Sequence, residues 1–277
     1  MFWRRTLSVV VLVPLVLFII YWGDWLYLVL VLGATLIMQV EYCRLAQHFT
    51  EKLNPVMSVF LTGACCLLAH LLPILTETVS VSGIVFSFFT FVFIYVFAES
   101  IFSGRIAGEL VAVTLKLTGI LTIGWILGYH LILLRSAEPH GMFFIFLLCG
   151  TIWSSDTGAY LVGRAFGKHK LGTPVSPRKT VEGTISGLVV GTLIGFVLSV
   201  TLLKGTLSWM NGVFIGLLLS VLGQLGDLSA SLMKRTAGVK DSGDVIPGHG
   251  GFIDRCDSLI FSAPALYYYL ELTGHLP

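Results

Sequence analysis

Apolar and polar residues fall in blocks along this chain, with long apolar runs separated by short polar joints. A helix that crosses lipid hydrocarbon needs roughly 20 apolar residues, about 17 to 25. Nine runs are candidates: residues 7–21, 25–40, 56–72, 81–97, 111–129, 141–160, 185–203, 209–227 and 259–272. The first and last are short and must borrow flanking residues, and the third carries His70 and Pro73. The pattern predicts an all-α integral membrane protein with about nine transmembrane helices. About five spans form residues 1–140. Residues 141–277 carry the rest, with longer polar loops at 161–184 and 228–258.

Composition agrees with that pattern. Of 277 residues, 56% are hydrophobic and 12% charged, with a mean hydropathy of +0.91. Soluble domains carry roughly 25% charged residues. The net charge of +2 is dispersed among short loops and gives no footprint for nucleic acid. The cysteines, at positions 43, 65, 66, 149 and 256, lack metal-ligand spacing and read as packed free thiols. Arg4 and Arg5 precede the first apolar run, and no small-x-small cleavage site follows it, so a retained first helix is expected.

Charge then orients the spans. With the N-terminus in the cytoplasm, all but three of the 17 lysines and arginines fall on the cytoplasmic side. Arg135 and Lys204 fall opposite, and Lys116 lies in or near a span. The same orientation puts Asp156, Asp227, Asp254 and Asp257 near one membrane face, along with both longer loops. A polar catalytic site at the cytoplasmic ends of the C-terminal helices is therefore expected, and ionisable groups at a bilayer are functional candidates.

Residues 226–257 concentrate that chemistry: GDLSASLMKRTAGVKDSGDVIPGHGGFIDRCD. Mg²⁺ favours oxygen ligands, commonly one or two carboxylates plus substrate phosphates. Asp254 and Asp257, spaced i, i+3 at a helix start, can face one point, and Asp227 can meet them from a neighbouring helix end. Asp227 and Asp254 are the expected first ligands, with Asp257 a further or supporting one. The alternative is an interfacial ion-pair cluster with Lys234, Arg235 and Arg255. The glycines around His249 allow close approach of backbone N–H groups to phosphate, and His249 can donate to a phosphate. Ser176, Arg178, Lys179 and Thr180 place two cations and two hydroxyls before a helix, suited to a triphosphate or else only to fixing topology. Asp156 stands among Ser154, Ser155, Thr157 and Gly158, where it can serve metal, lysine or nucleotide, or simply pack. Gly183, Gly187, Gly191 and Gly195 recur every four residues, a small-residue stripe for close helix packing within the chain or in a homodimer.

Read together, Ser231-x-Met233-Lys234-Arg235, Lys240-Asp241-x-Gly243, Pro247-x-His249-Gly250-Gly251 and Asp254-Arg255-x-Asp257 resemble the signature of phosphatidate cytidylyltransferases (CDP-diacylglycerol synthases). Residues 154–160 and 176–183 extend the likeness. Cys256 departs from it, standing where an aliphatic residue or Thr is expected. The N-terminal half matches only as a hydrophobic multi-span region.

The resemblance implies that CTP and phosphatidate give CDP-diacylglycerol and pyrophosphate, with Mg²⁺ as cofactor and room for a second, monovalent cation. It implies catalytic roles for Asp227, Asp254, Asp257, Lys234, Arg235 and His249. It implies substrate-binding roles for Asp156, Ser176, Arg178, Lys179, Thr180, Lys240, Asp241, Gly250, Gly251 and Arg255. The expected setting is a bacterial-type inner membrane, with lipid on one side of the site and cytoplasmic CTP on the other. A CTP-dependent polyprenol kinase, a secondary transporter and a catalytically silent scaffold remain as other readings. A transporter would favour midplane charges and inverted repeats, which are not evident.

Overall fold

The computed structural model describes residues 2–50, 53–75, 80–104, 106–243, 245 and 250–276, with side chains from Leu12 onward. Nine helical rods run through these described residues: α1 (Phe2–Trp22), α2 (Asp24–Ala46), α3 (Pro55–Leu75), α4 (Val81–Ile101), α5 (Glu109–Ser136), α6 (Gly141–Phe166), α7 (Val181–Leu202), α8 (Trp209–Thr236) and α9 (Ile253–Leu272). The middle of α5, Ile120–Tyr129, is wound as a π-helix.

Seven of the rods, α2 to α8, are long and apolar enough to cross a membrane. The expected nine differ at the two ends. The apolar part of α1 with described side chains, Leu12–Trp22, is short. Helix α9 is 20 residues long but carries Asp254, Arg255 and Asp257 in its first turns and Glu271 near its end.

Several boundaries follow from local chemistry. Ser80, Thr180 and Ser208 precede α4, α7 and α8, and each side-chain oxygen accepts from a backbone N–H three residues on, at 3.2 Å. Helix α8 runs to Thr236, nine residues beyond the apolar run. Its last stretch, Leu228–Thr236, is polar yet rich in good helix formers, so hydropathy ends there while helicity does not. The loop expected at 228–258 shrinks to residues 237–252.

Helix α7 packs between α6 and α8, and its buried residues are the stripe Gly183, Gly187, Gly191, Gly195 and Ser199. A methyl group at Gly187 would lie 3.0 Å from the Ser155 carbonyl oxygen, and one at Gly195 would lie 2.5 Å from the Gly216 Cα. The stripe thus serves close packing within the chain. On the opposite side Ile185, Val189, Leu193 and Val197 are exposed, as a lipid-facing ridge would be. A second packed group joins α2, α3 and the π segment of α5. Helix α4 lies outermost, with only Val92, Val96 and Ser100 buried, and the Lys116–Glu99 ion pair at 2.9 Å ties it to α5. The five cysteines are free, and all but Cys256 are buried.

Candidate active site

Three separate segments deliver charge to one end of the α6–α9 group. The connection between α6 and α7 is held by paired backbone bonds, Leu171 N to Lys179 O and Val181 N to His169 O, both 2.9 Å. The Glu182 carboxylate accepts from the His169 backbone N–H and meets its Nδ1 at 2.6 Å. This clasp fixes the turn that carries Lys179. From it, Lys179 Nζ reaches Asp227 Oδ2 on α8 at 2.6 Å.

Because α8 continues as helix, Asp227, Ser231 and Lys234 follow at i, i+4 and i+7 and share a face. Lys234 forms an ion pair with Asp254 in the first turn of α9, and both side chains are only 10% exposed. The second Asp254 oxygen accepts from Ser242 N at 3.0 Å and Gly251 N at 3.1 Å, and shares the Ser242 hydroxyl, 3.1 Å away, with a second carboxylate, that of Glu41. A buried carboxylate persists as an ion when it is paired and hydrogen-bonded in this way.

Asp257, one turn further on, is 8% exposed. Its Oδ1 accepts from Ser258 N at 2.7 Å, while Ser258 Oγ donates to Asp156 Oδ2 on α6 at 3.2 Å. Gly226 lets α9 approach here: a methyl group on it would collide with the Asp257 carbonyl and lie 3.3 Å from the Ser258 Cα. Asp156, Asp227 and Asp257 stand in one another's electrostatic field, with Lys179 and Lys234 as the nearby cations. Among the described residues, no group of three or more His, Cys, Asp or Glu side chains is gathered closely enough to hold a metal ion as it stands.

One participant comes from the other half of the chain. Glu41, on α2, is 1% exposed. Its carboxylate accepts from Phe252 N at 2.8 Å, Ile253 N at 3.0 Å and Ser242 Oγ at 3.0 Å. Phe252, which precedes α9, makes no side-chain cap hydrogen bond, and Glu41 supplies the cap from more than 200 residues away.

A family profile described as "Cytidylyltransferase family" matches residues 3–273. The chain belongs to this family. The profile spans both halves, including the N-terminal helices whose sequence suggested only a hydrophobic region.

Among individual family members, the phosphatidate cytidylyltransferase of Bacillus subtilis (strain 168) is 43% identical over 144 residues, 52% of this chain and 53% of that protein. That of Synechocystis sp. is 46% identical over 134 residues, 48% of this chain and 45% of that protein. That of Haemophilus influenzae is 41% identical over 133 residues, covering 47% and 46%. The matched stretch thus spans about half the length of these curated relatives.

The residues expected at the site are distributed unevenly around this end of the protein. Lys179, Asp227, Lys234, Asp254, Asp257 and Asp156 are drawn together by the contacts above. Thr180 is 5% exposed and its Oγ1 caps α7. Ser176 meets Lys179 through the backbone, its carbonyl accepting from Lys179 N at 3.2 Å. Arg178, Lys240, Asp241 and Arg255 are exposed. Exposed Arg235 donates from Nη1 to the Val239 carbonyl at 2.8 Å, holding the start of the loop. Gly250 adopts φ +80°, and a methyl group there would sit 3.1 Å from Asp254 Oδ2. Gly251 is buried against Ser242 and Glu41. His249 lies outside the described residues. Glu41 had no local signal: it is one carboxylate near the end of an apolar helix, with Arg44 three residues on in the sequence.

Proposed function

We propose that this chain is a phosphatidate cytidylyltransferase that converts CTP and phosphatidate to CDP-diacylglycerol and pyrophosphate. The observation that carries this reading is the convergence of Lys179, Asp227, Lys234 and Asp254, from the α6–α7 connection, α8 and the first turn of α9, in two ion pairs at one end of the helices. Family membership and the activity for which the relatives are named agree with it.

The chemistry follows from charge. A phosphatidate phosphate oxygen attacks the α-phosphorus of CTP, forming one P–O bond, and the bond to the β-phosphate breaks to release pyrophosphate. The attacking oxygen is already ionised at neutral pH, so no strong base is demanded. The obstacle is the approach of two polyanions, and fixed cations offset it. Lys179 and Lys234 are the nearest fixed cations, with exposed Arg178 and Lys240 on the adjoining loops.

Mg²⁺ fits the donor chemistry here. Asp227 is partly exposed and carries Lys179, and Asp156 and Asp257 crowd it with further negative charge. Asp254 reaches a metal only by releasing Lys234, Ser242 or Gly251. A bound divalent ion would neutralise triphosphate charge and polarise the α-phosphate.

The site faces the cytoplasm of a cell inner membrane in this reading, with α1 and α9 completing nine spans. Positive-inside charge supports that orientation. So does the grouping of the end of α2, the start of α9 and the end of α8 on one side. Arg135, which donates to the Ile20 carbonyl at 3.0 Å, lies at the opposite ends of α1 and α5.

The test uses the purified full chain in detergent with phosphatidate and radiolabelled CTP. Label in lipid, pyrophosphate release and loss of both on chelation are expected. Transfer of the γ-phosphate instead would make it a lipid kinase, and no transfer from folded protein would sink the enzymatic reading.

A further inference from the structure

We propose that Glu41 is a positioning residue for the reaction, holding the signature loop and the first turn of α9 so that Asp254 stays engaged with Lys234. Four observations converge on it. Glu41 is buried, and among the described residues no cation forms an ion pair with it: its carboxylate accepts from Phe252 N, Ile253 N and Ser242 Oγ. A carboxylate at that place satisfies two otherwise orphaned backbone donors and complements the helix dipole. Ser242 sits between two carboxylates, its Oγ 3.0 Å from Glu41 Oε2 and 3.1 Å from Asp254 Oδ2. Glu41 and the Asp254–Lys234 pair are therefore one connected network.

The signature glycines give the fourth observation. The three atoms nearest to a methyl group on Gly243 would all belong to Glu41, at 2.9, 3.1 and 3.2 Å. A methyl group on Gly251 would collide with Ser242 Oγ and lie 2.6 Å from Glu41 Oε2. Part of the glycine requirement in this loop is thus imposed by a residue of α2, not by a substrate.

Loss of Glu41 strands the Phe252 and Ile253 donors and frees the loop, displacing Asp254 and Lys234 together. A displacement on the order of 1 Å at reacting groups costs about 100-fold in rate. Kinetics of Glu41→Ala take the proposed reaction as given, whereas proteolysis of the same variant does not. In detergent, kcat per folded molecule should fall about 100-fold while both KM values stay within about threefold, since the groups lost act on alignment more than on binding. Trypsin cleavage after exposed Lys240 should accelerate at least about tenfold, because the loop opens locally while the helices stay folded. Glu41→Asp, which keeps the charge with a shorter reach, should recover part of both, and it replaces Glu41→Ala should that variant fail to fold.

Gly243→Ala adds an independent arm. Alone it should slow turnover; combined with Glu41→Ala it should add nothing, because the atoms it strikes are gone. Wild-type kcat with unchanged Lys240 cleavage overturns the proposal. So does a lower unfolding temperature with wild-type kcat per folded molecule, which would make Glu41 merely structural. Should the wild-type protein form no product, the reaction reading falls, and Lys240 cleavage alone decides whether Glu41 holds the loop.

Discussion

Lys179 holds Asp227 at 2.6 Å across the gap between the α6–α7 connection and α8. Their side chains remain 25% and 34% exposed, so the pair is open to a ligand on one side. Under the proposed function this ion pair would be exchanged, phosphate taking the ammonium and a metal the carboxylate. Asp227→Asn should lower turnover by about 100-fold or more, the scale on which loss of one electrostatic contact to a transition state acts. Membrane insertion and the unfolding temperature should stay near those of the wild type, because a partly exposed pair contributes little to stability. Labelled-lipid formation by membrane-extracted protein checks it, and full activity would remove Asp227 from the metal assignment.

The second pair has the opposite character. Lys234 and Asp254 are each 10% exposed, so removing one leaves the other as an uncompensated buried charge. Lys234→Met should destabilise the protein by about 3–5 kcal/mol. Adding Asp254→Asn should return part of that stability without returning activity. Thermal unfolding of the single and double variants beside the activity assay separates the two roles. A single variant as stable as the wild type would mean that water or the loop compensates Asp254.

Much of this site is legible in the sequence because its residues are near in sequence or periodic. Asp254 and Asp257 keep their i, i+3 relation at the start of α9, and the four-residue glycine spacing reappears as the buried face of α7. Thr180 is visible before a helix, but whether its hydroxyl meets a substrate or a backbone N–H depends on where the helix begins. The end of α8 is hidden because hydropathy measures membrane burial, whereas Leu228–Thr236 is helical through propensity and through its contacts with α9. Glu41 is hidden for a different reason. Its partners are backbone N–H groups more than 200 residues away, and a backbone donor leaves no residue type to find.

The glycine stripe predicts a sharp asymmetry between the two faces of α7. Gly195→Val places side-chain atoms where the Gly216 backbone already sits, with a methyl group only 2.5 Å from its Cα. Overpacking of this kind costs about 1–3 kcal/mol and more where backbone must move. Val197→Ala, two residues along on the exposed face, should cost less than about 0.5 kcal/mol. Unfolding temperatures in detergent distinguish them, and equal losses would mean that the exposed ridge is packed against another chain.

Lys116 and Glu99 test whether burial of charge alone implies catalysis. Lys116 is 4% exposed and reaches Glu99 at 2.9 Å, linking α5 to the outermost helix α4, and neither residue contacts the carboxylate cluster. A buried pair is strongly destabilised by losing one partner but tolerates losing both, because the desolvation penalty then disappears with the attraction. Lys116→Met should therefore lower stability by about 3–5 kcal/mol, and Lys116→Met with Glu99→Gln should recover most of it. Turnover per folded molecule should remain at the wild-type value in the double variant, since α4 packs against α3 and α5 and away from α8 and α9. Stability and specific activity measured on the same preparations check both statements. A double variant that is stable but slow would place this pair in the catalytic cycle and move the functional boundary into the N-terminal helices.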